Sequence, residues 1–124
     1  MGLLAGLRVL VVEDDPVIGI DMTEVIEDAA GEVVGPAKSI AEAGRIAKTG
    51  TFDVAVLDVN LADGEVTPVL ESLHARKIPM LVYTGTSLPE SVMRRHPDLT
   101  TLRKPVLPAR LLGEIAKAHR NGRS

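Results

Sequence analysis

Four short apolar runs, each ending at a residue suited to charge or phosphoryl chemistry, constrain this chain more than any other feature. The runs at 7–12, 54–57, 80–83 and 101–103 lead into, in order, Glu13-Asp14-Asp15, Asp58, Thr84 and Lys104. Runs of this length are typical of strands buried on both faces of a parallel sheet. Ligands of open parallel sheets bind outside the carboxyl ends of the strands. The sequence therefore predicts that two acids, a hydroxyl and an ammonium meet at the chemically active edge of a sheet.

Amphipathic segments separate the apolar runs and complete a β-α pattern that repeats five times. Strands are expected at 7–12, 33–34, 52–57, 78–83 and 99–103. Helices are expected over 16–30, 40–49, within 65–75, over 88–95 and from 108 onward. Asp15 and Ser39 are suited to cap the first two helices. At the third helix, either Thr67 caps and Pro68 begins the helix, or the first turn is irregular.

The alternation predicts an α/β fold with a parallel sheet covered on both faces by helices. Right-handed crossovers and five strands favour the flavodoxin-like strand order 2-1-3-4-5. Strands one and three are then neighbours, so Asp14 and Asp58 are expected to face each other across one crevice. The 124 residues suit a single domain over 1–124, with a core of about 6–119.

Composition excludes several classes of function. The chain has no Cys, which removes disulfides, thiolate catalysis and Cys zinc sites. A net charge of −3 argues against a nucleic-acid surface, and no apolar stretch approaches the length of a membrane span. The residues at 1–7 lack the charged leading segment of a signal peptide, so a cytoplasmic protein is expected.

The acids at the strand ends are expected to bind a metal ion. Glu13, Asp14 and Asp58 would share a few ångströms of space, which is unfavourable for ionised carboxylates without a cation. Mg²⁺ is the natural partner, because it is bound by one or two carboxylates together with waters and phosphate oxygens. We expect Asp14 to be a direct ligand, Glu13 a direct or water-mediated one, and Asp58 to supply one oxygen. The backbone carbonyl of Asn60 is the fourth candidate ligand.

Asp58 is also a candidate nucleophile, since aspartyl phosphates are a known class of covalent intermediate. Phosphoryl transfer requires positioning and neutralisation of charge, which Lys104 and the Thr84 hydroxyl are placed to provide. Movement of Thr84 and Lys104 towards a new phosphoryl charge would repack the surface formed by the fourth strand, the fourth helix and the fifth strand.

The chain resembles the receiver domain of response regulators in two-component signalling along essentially its whole length. The motifs that carry the resemblance are Val11-Val12-Glu13-Asp14-Asp15, Val56-Leu57-Asp58-Val59-Asn60-Leu61, Tyr83-Thr84-Gly85 and Lys104-Pro105. The resemblance implies that Asp58 accepts a phosphoryl group from a phosphohistidine, with Mg²⁺ required. It implies further that Glu13 and Asp14 form the acidic pair, that Thr84 is the switch hydroxyl and that Lys104 is the family's lysine.

The partners implied by this resemblance are a histidine kinase or histidine phosphotransferase and a downstream protein target, and a homodimer is left open. The domain itself would be no enzyme, but a phosphoacceptor that promotes its own phosphorylation and dephosphorylation. No output domain follows the fifth helix in this sequence, so a stand-alone receiver is expected if the chain is complete, and a piece of a hybrid kinase is left open.

Three departures from the family pattern concern the loop, the spacing and the switch. The loop after Asp58 reaches Gly64 without the usual proline, and the stretch from Asp58 to Thr84 is short. Both are similar to a short-receiver subgroup of alphaproteobacteria. The family's switch aromatic on the fifth strand falls at Thr101, and the single tyrosine, Tyr83, is a candidate for either buried packing or a partial replacement.

Two other functions remain open from the sequence. A phosphorylation-independent interaction module would have the same fold but would bind its partner without phosphorylation of Asp58. An aspartyl-phosphate phosphatase would need a second acid two residues after the nucleophile, where this chain has Asn60. A flavin carrier is disfavoured by the lack of a glycine-rich loop and by the 2% aromatic content. No metal or catalytic role is expected of His74, His96 or His119, and the segment 94–96 is expected to be a solvated helix end.

Overall fold

The structure of the protein, a computed structural model, describes residues 2–61 and 63–122. Its strands are β1 (Arg8–Val12), β2 (Glu32–Ala37), β3 (Val54–Asp58), β4 (Asn60–Leu61), β5 (Gly64–Glu65), β6 (Met80–Thr84) and β7 (Thr100–Arg103). Its helices are α1 (Pro16–Asp28), α2 (Ile40–Thr49), α3 (Thr67–Ala75), α4 (Glu90–Arg95) and α5 (Pro108–Asn121). The predicted alternation of strands and helices is therefore present.

Five of the strands form one sheet in the order β2-β1-β3-β6-β7, and every neighbouring pair is parallel. The two-residue strands β4 and β5 pair only with each other, as a small antiparallel hairpin. With that hairpin set aside, the order is the flavodoxin-like 2-1-3-4-5 that the sequence predicted. The predicted fold class is confirmed. Its main consequence for the site is that β1 and β3 are adjacent.

Alternate residues of the central strands supply two cores, one on each face of the sheet. Leu10, Val12, Ala55, Leu57 and Val82 pack with buried residues of α2, α3 and α4. The residues between them face the other way and pack with α1 and α5; they are Val9, Val11, Val54, Val56, Leu81 and Tyr83. Aliphatic side chains fill most of both cores, so the strand ends that carry the polar residues are held by rigid packing.

The first two helices begin at the predicted caps. The Asp15 carboxylate accepts hydrogen bonds from the N–H groups of Val17 and Ile18, and the Ser39 hydroxyl accepts one from Glu42. The third helix does not use Thr67 as its cap. Thr67 is already helical, Val66 stands at the cap position without a side-chain bond, and Pro68 lies in the first turn. Proline is tolerated there because the N–H groups of the first turn have no partner within the helix.

Two stretches are more ordered than the sequence indicated. β2 is longer than the predicted pair of valines, and it accommodates Gly35 at a φ of 104° together with a cis Gly35-Pro36 bond. The loop after Asp58 forms the hairpin of β4 and β5. Asp63 in that hairpin accepts a hydrogen bond from the N–H of Ile40 at 3.0 Å, so it ties the loop to the start of α2.

None of the helices in the described ranges combines the length and the apolar character that a bilayer crossing requires.

Candidate functional site

Three carboxylates meet at the carboxyl ends of β1 and β3. Glu13 and Asp14 follow β1 directly, and Asp58 is the last residue of β3. Because the two strands are parallel neighbours, the residues that follow them lie at the same edge of the sheet. One carboxylate oxygen from each of the three acids lies within 4.8 Å of the others. The structure therefore brings together the acidic set that the sequence singled out.

Asp58 is held by both of its carboxylate oxygens. Its side chain is almost completely buried, and its Oδ2 atom accepts a hydrogen bond from the Lys104 Nζ at 3.1 Å. Its Oδ1 atom accepts a second bond, from the N–H of Asn60 at 3.0 Å. Both contacts fix the orientation of the carboxylate. Asp58 is thus a fixed carboxylate with an ammonium beside it.

Lys104 connects the far side of the sheet to the acids. Its N–H donates to the carbonyl of Thr84 at 2.9 Å, which fixes the backbone where β7 ends. Its Nζ atom lies 3.7 Å from the Glu13 Oε1 atom as well as beside Asp58, and 5.1 Å from the centre of the Tyr83 ring. The peptide bond between Lys104 and Pro105 is cis. The ammonium of Lys104 therefore contacts two carboxylates and the face of an aromatic ring.

Glu13 is the most constrained acid of the pocket. Its side chain is 1% exposed. Its Oε2 atom accepts from the N–H of Asp15 at 3.1 Å, and its Oε1 atom accepts from the Tyr83 hydroxyl at 2.9 Å. The pKa of Glu13 is raised to about 7, chiefly by burial; the hydrogen bonds from Asp15 and Tyr83 oppose this rise, and the neighbouring Asp58 adds to it. Removal of Glu13 from water therefore outweighs the hydrogen bonds that would favour its charged form.

The polar residues opposite the acids form a small network of hydrogen bonds. Thr84 is fully buried, and its hydroxyl oxygen accepts from the Asn60 Nδ2 at 3.3 Å and from the N–H of Thr86 at 3.1 Å. The same Nδ2 atom also donates to the Thr86 hydroxyl at 3.3 Å. The side chain of Asn60 is therefore directed towards Thr84, while the role of its backbone carbonyl as a metal ligand stays a prediction.

The donor set of this pocket fits a hard divalent cation. All three acids offer oxygen atoms, and hard cations such as Mg²⁺ prefer oxygen ligands. The raised pKa of Glu13 is the second sign of fit, because a cation at this place would favour the ionised form of Glu13. Glu13, Asp14 and Asp58 are the residues that could hold it.

One contact of the site escaped the sequence analysis. Tyr83 is 1% exposed, so its ring is buried, yet its hydroxyl reaches Glu13 across the sheet edge. Its position next to Thr84, at the end of a strand, was the available signal. The pairing with Glu13 depends on the placement of β6 relative to β1, which no local pattern encodes.

The prediction of a solvated helix end at 94–96 is wrong for His96. His96 is 8% exposed, because the end of α4 packs against α3. Its ring meets the His74 ring edge-on, with centroids 5.3 Å apart, and its Nε2 atom lies 3.9 Å from a Glu71 oxygen.

Thr101, at the position of the expected switch aromatic, is exposed, and its hydroxyl donates to the carbonyl of Leu99 at 3.4 Å.

Comparison with protein families gives a match over most of the chain. A family model described as "Response regulator receiver domain" matches residues 9–116. The matched range includes every acid of the pocket together with Thr84 and Lys104.

A curated relative and two solved structures are similar to this chain. The phyllosphere-induced regulator PhyR of Methylorubrum extorquens is 29% identical over 116 residues, which are 90% of this chain and 43% of that protein. A CheY-like receiver domain protein from Methanospirillum hungatei has a TM-score of 0.84 at 27% identity, over 94% of this chain and 96% of that one. PhyR from Brucella abortus has a TM-score of 0.80 at 27% identity, over 97% of this chain and 50% of that one.

The chain spans less than half the length of the curated relatives that it matches.

Proposed function

The chain belongs to the response regulator receiver family, and from that premise we propose that it accepts a phosphoryl group on Asp58 in a Mg²⁺-dependent reaction and thereby switches a protein-interaction surface. The PhyR relatives support its place in the short-receiver subgroup of alphaproteobacteria. Receivers are signalling domains that act through histidine kinases or phosphotransferases and through downstream targets. The proposal extends over the whole chain as one receiver domain.

The observation that carries the proposal is the position of Lys104 beside Asp58. The Nζ atom lies 3.1 Å from the Asp58 Oδ2, while Glu13 and Asp14 each place a carboxylate oxygen within 4.8 Å of an Asp58 oxygen. A structural ion pair would not need two further carboxylates, which raise the cost of burying it. The same excess of acids suits a reaction in which positive charge enters the pocket and a phosphoryl group follows.

The reaction that fits this geometry is transfer from a phosphohistidine on a partner protein. A carboxylate oxygen of Asp58 attacks the phosphorus atom and forms a P–O bond as the P–N bond of the donor breaks. The electron pair of that bond goes to the leaving imidazole nitrogen. Lys104 holds the attacking carboxylate in place and then lies next to the charge of the phosphoryl oxygens. Hydrolysis of the acyl phosphate returns Asp58 to its first state.

Glu13, Asp14 and Asp58 would hold Mg²⁺, with the carbonyl of Asn60 as the proposed fourth protein ligand. Bound there, the ion would offset the negative charge of the acids and of the phosphoryl oxygens. The protein's own contribution is to hold the three carboxylates together at the end of two parallel strands before any ligand arrives.

The proposed switch runs from Thr84 to the surface of α4 and β7. The Thr84 hydroxyl is bound to Asn60 and Thr86, so a phosphoryl group on Asp58 would compete for it. Lys104 follows β7, and the loop after Thr84 leads to α4, so both residues act on the same surface. A cytoplasmic receiver that presents this surface to a protein target accounts for these connections, with a histidine kinase or histidine phosphotransferase as the donor.

A phosphorylation-independent interaction module is the second candidate, and one observation favours it. Thr101 leaves the exposed face of β7 without the aromatic side chain that would couple the switch to the surface. Binding of a partner that is equally tight with Asp58→Ala and with a chelator would support this candidate. A phosphatase is disfavoured, because the Asn60 amide cannot give and reclaim a proton.

The test is phosphorylation by acetyl phosphate with and without Mg²⁺. We expect the intact protein to gain the mass of one phosphoryl group, to lose it in hydroxylamine, and to gain none in EDTA. Asp58→Asn should reduce the gain to background, because the nucleophilic oxygen is lost. Asp63→Asn is the matched control, since this exposed aspartate contacts α2 and not the pocket. Equal labelling of Asp58→Asn and the wild-type protein would overturn the assignment.

A further inference from the structure

We propose that Tyr83 is a positioning residue of the metal pocket, whose hydroxyl holds the Glu13 carboxylate and whose ring seats the Lys104 ammonium. The inference rests on the proposed function, because it concerns the affinity of the same pocket for Mg²⁺. It goes beyond that function by assigning a task to a residue outside the acid, hydroxyl and lysine set.

The hydrogen bond between Tyr83 and Glu13 is the first support. The Tyr83 hydroxyl lies 2.9 Å from the Glu13 Oε1 atom and 3.5 Å from the carbonyl oxygen of Val12. The N–H of Asp15 binds the other oxygen of Glu13. With a donor on each oxygen, the carboxylate of Glu13 has one preferred orientation.

The position of the ring is the second support. The Lys104 Nζ atom lies 5.1 Å from the ring centre of Tyr83, within the range of a cation–π contact. The same atom lies 3.1 Å from Asp58 and 3.7 Å from Glu13. One buried side chain thus touches both the acid that would bind the cation and the ammonium that faces the phosphoacceptor.

The chemistry of the Tyr83 side chain suits a permanent donor. A carboxylate oxygen accepts hydrogen bonds and a phenol O–H donates them, so Tyr83 is the donor in its 2.9 Å contact with Glu13. A side chain that was present only to fill the core would not need a hydroxyl here, and phenylalanine would serve equally.

The expected consequence follows from how outer residues tune metal ligands. Carboxylates that bind a metal are themselves held by hydrogen bonds, and loss of such a bond lowers metal affinity by about 10–100-fold. Tyr83→Phe removes the hydroxyl and keeps the ring. We expect it to raise the dissociation constant for Mg²⁺ about tenfold, and to raise the Mg²⁺ concentration needed for half-maximal phosphorylation by a similar factor. The phosphorylation rate at saturating Mg²⁺ should change much less, because Asp58 and Lys104 are retained.

A double-mutant cycle separates positioning from packing. Dissociation constants for Mg²⁺ are measured by calorimetry for the wild-type protein, Tyr83→Phe, Glu13→Gln and the double variant. If the hydroxyl acts through Glu13, Tyr83→Phe should change the constant less than about twofold in the Glu13→Gln background. Thr49→Val, which removes an exposed hydroxyl on α2, is the control and should leave the constant unchanged.

The chain supplies a second readout in its own fluorescence. Tyr83 is the single tyrosine and there is no tryptophan, so the phenol emission comes from this pocket alone. Carboxylate acceptors quench that emission. A cation that draws charge from Glu13 should therefore change it, with the same midpoint as the calorimetric titration.

The outcomes separate this inference from the proposed function. If the wild-type protein binds no Mg²⁺, or if Asp14→Asn binds it as tightly as the wild-type protein does, the proposed metal pocket is wrong. If the wild-type protein binds Mg²⁺ and Asp14→Asn does not, the pocket stands. In that case, an unchanged constant in Tyr83→Phe, with only a lower melting temperature, would show that Tyr83 is a packing residue and would overturn the inference.

Discussion

Two glutamates, one in the pocket between β1 and β3 and one on the surface between α3 and α4, have pKa values displaced in opposite directions. Glu13 is buried, and its pKa is raised to about 7 by burial first and by Asp58 next. The Glu71 side chain is 41% exposed, and its pKa is lowered, chiefly by the hydrogen bond from Arg95. Both have a basic residue nearby, so the basic residue alone does not decide the direction of the shift. The direction of the pKa shift is decided by exposure to solvent and by the neighbouring acids.

The opposite pKa shifts of the two glutamates show which region of the molecule holds carboxylates in an unfavourable environment. The pocket is built on the central strands β1 and β3, whose residues apart from Arg8 are buried, so its acids are held together by the packing of the whole sheet. At the α3–α4 surface, the ion pair of Glu71 and Arg95 forms between exposed side chains, and such pairs stabilise proteins only slightly. The unfavourable electrostatic energy of crowded acids is therefore concentrated in the pocket, where a bound cation would reduce it.

The largest expected effect concerns pH and Glu13. The folded pKa of about 7 lies above the ordinary value of 4.5, so the folded state binds the proton more tightly than the unfolded state does. Stability should then fall as pH rises from about 4.5 to about 7, by roughly 3 kcal/mol in the absence of divalent cations. Glu13→Gln should remove this part of the slope. The measurement is the free energy of unfolding in urea at several pH values in EDTA.

Glu71→Gln is the matched change in the other region. A lowered pKa gives stability that is present above 4.5 and lost as pH falls, so this variant should affect only the acid side of the profile. The shift should be small, because the ion pair is exposed. If the free energy of unfolding of Glu13→Gln still fell between pH 4.5 and 7 as steeply as that of the wild-type protein, the proposed difference between the pKa shifts of the two glutamates would be wrong.

The second prediction compares packing in the two regions with the same substitution. Val56 on β3 and Val92 on α4 are both fully buried. Val56→Ala should cost about 2–3 kcal/mol, because the central sheet cannot collapse around the cavity. Val92→Ala should cost about 1–2 kcal/mol, because a six-residue helix without a side-chain cap can shift towards the space. Urea unfolding of both variants measures the difference, and a larger loss at Val92 would reverse the comparison.

The fold was predictable because the signals for it are local. The apolar runs before Glu13, Asp58 and Thr84 marked buried strands, the run before Lys104 marked the partly exposed edge strand β7, and the polar residue after each run marked the edge of the sheet. Asp15 and Ser39 were identified as caps because a cap is recognised within four residues of sequence.

Contacts between distant segments were not predictable in the same way. The bond from Tyr83 to Glu13 joins residues 70 positions apart, and the bond from Ile40 to Asp63 joins residues 23 apart. Each depends on how two elements are placed by the whole fold. His96 was misjudged for the same reason, since two arginines precede it and only the packing of α4 on α3 buries it.

The smallest expected effect lies in the hairpin of β4 and β5. Asp63 accepts a hydrogen bond from the first N–H of α2, which a helix start otherwise leaves without a partner. Asp63→Ala should cost about 1 kcal/mol or less, in the range of an exposed helix cap. Asp98→Ala, on the exposed loop between α4 and β7, is the control and should be neutral within about 0.5 kcal/mol. Equal stability of the two variants would remove the tie between the hairpin and α2.

The position of Lys104 in the chain has a consequence for biosynthesis. Lys104 follows Asp58 by 46 residues, and it lies beside the edge strand β7. A polypeptide still growing on the ribosome therefore contains all three acids of the crevice well before it contains their ammonium. Domains are made from the amino terminus at about 5–20 residues per second, so this interval lasts several seconds. In a nascent chain, the arrival of the final strand would bring a positive charge to the crevice as well as complete the sheet.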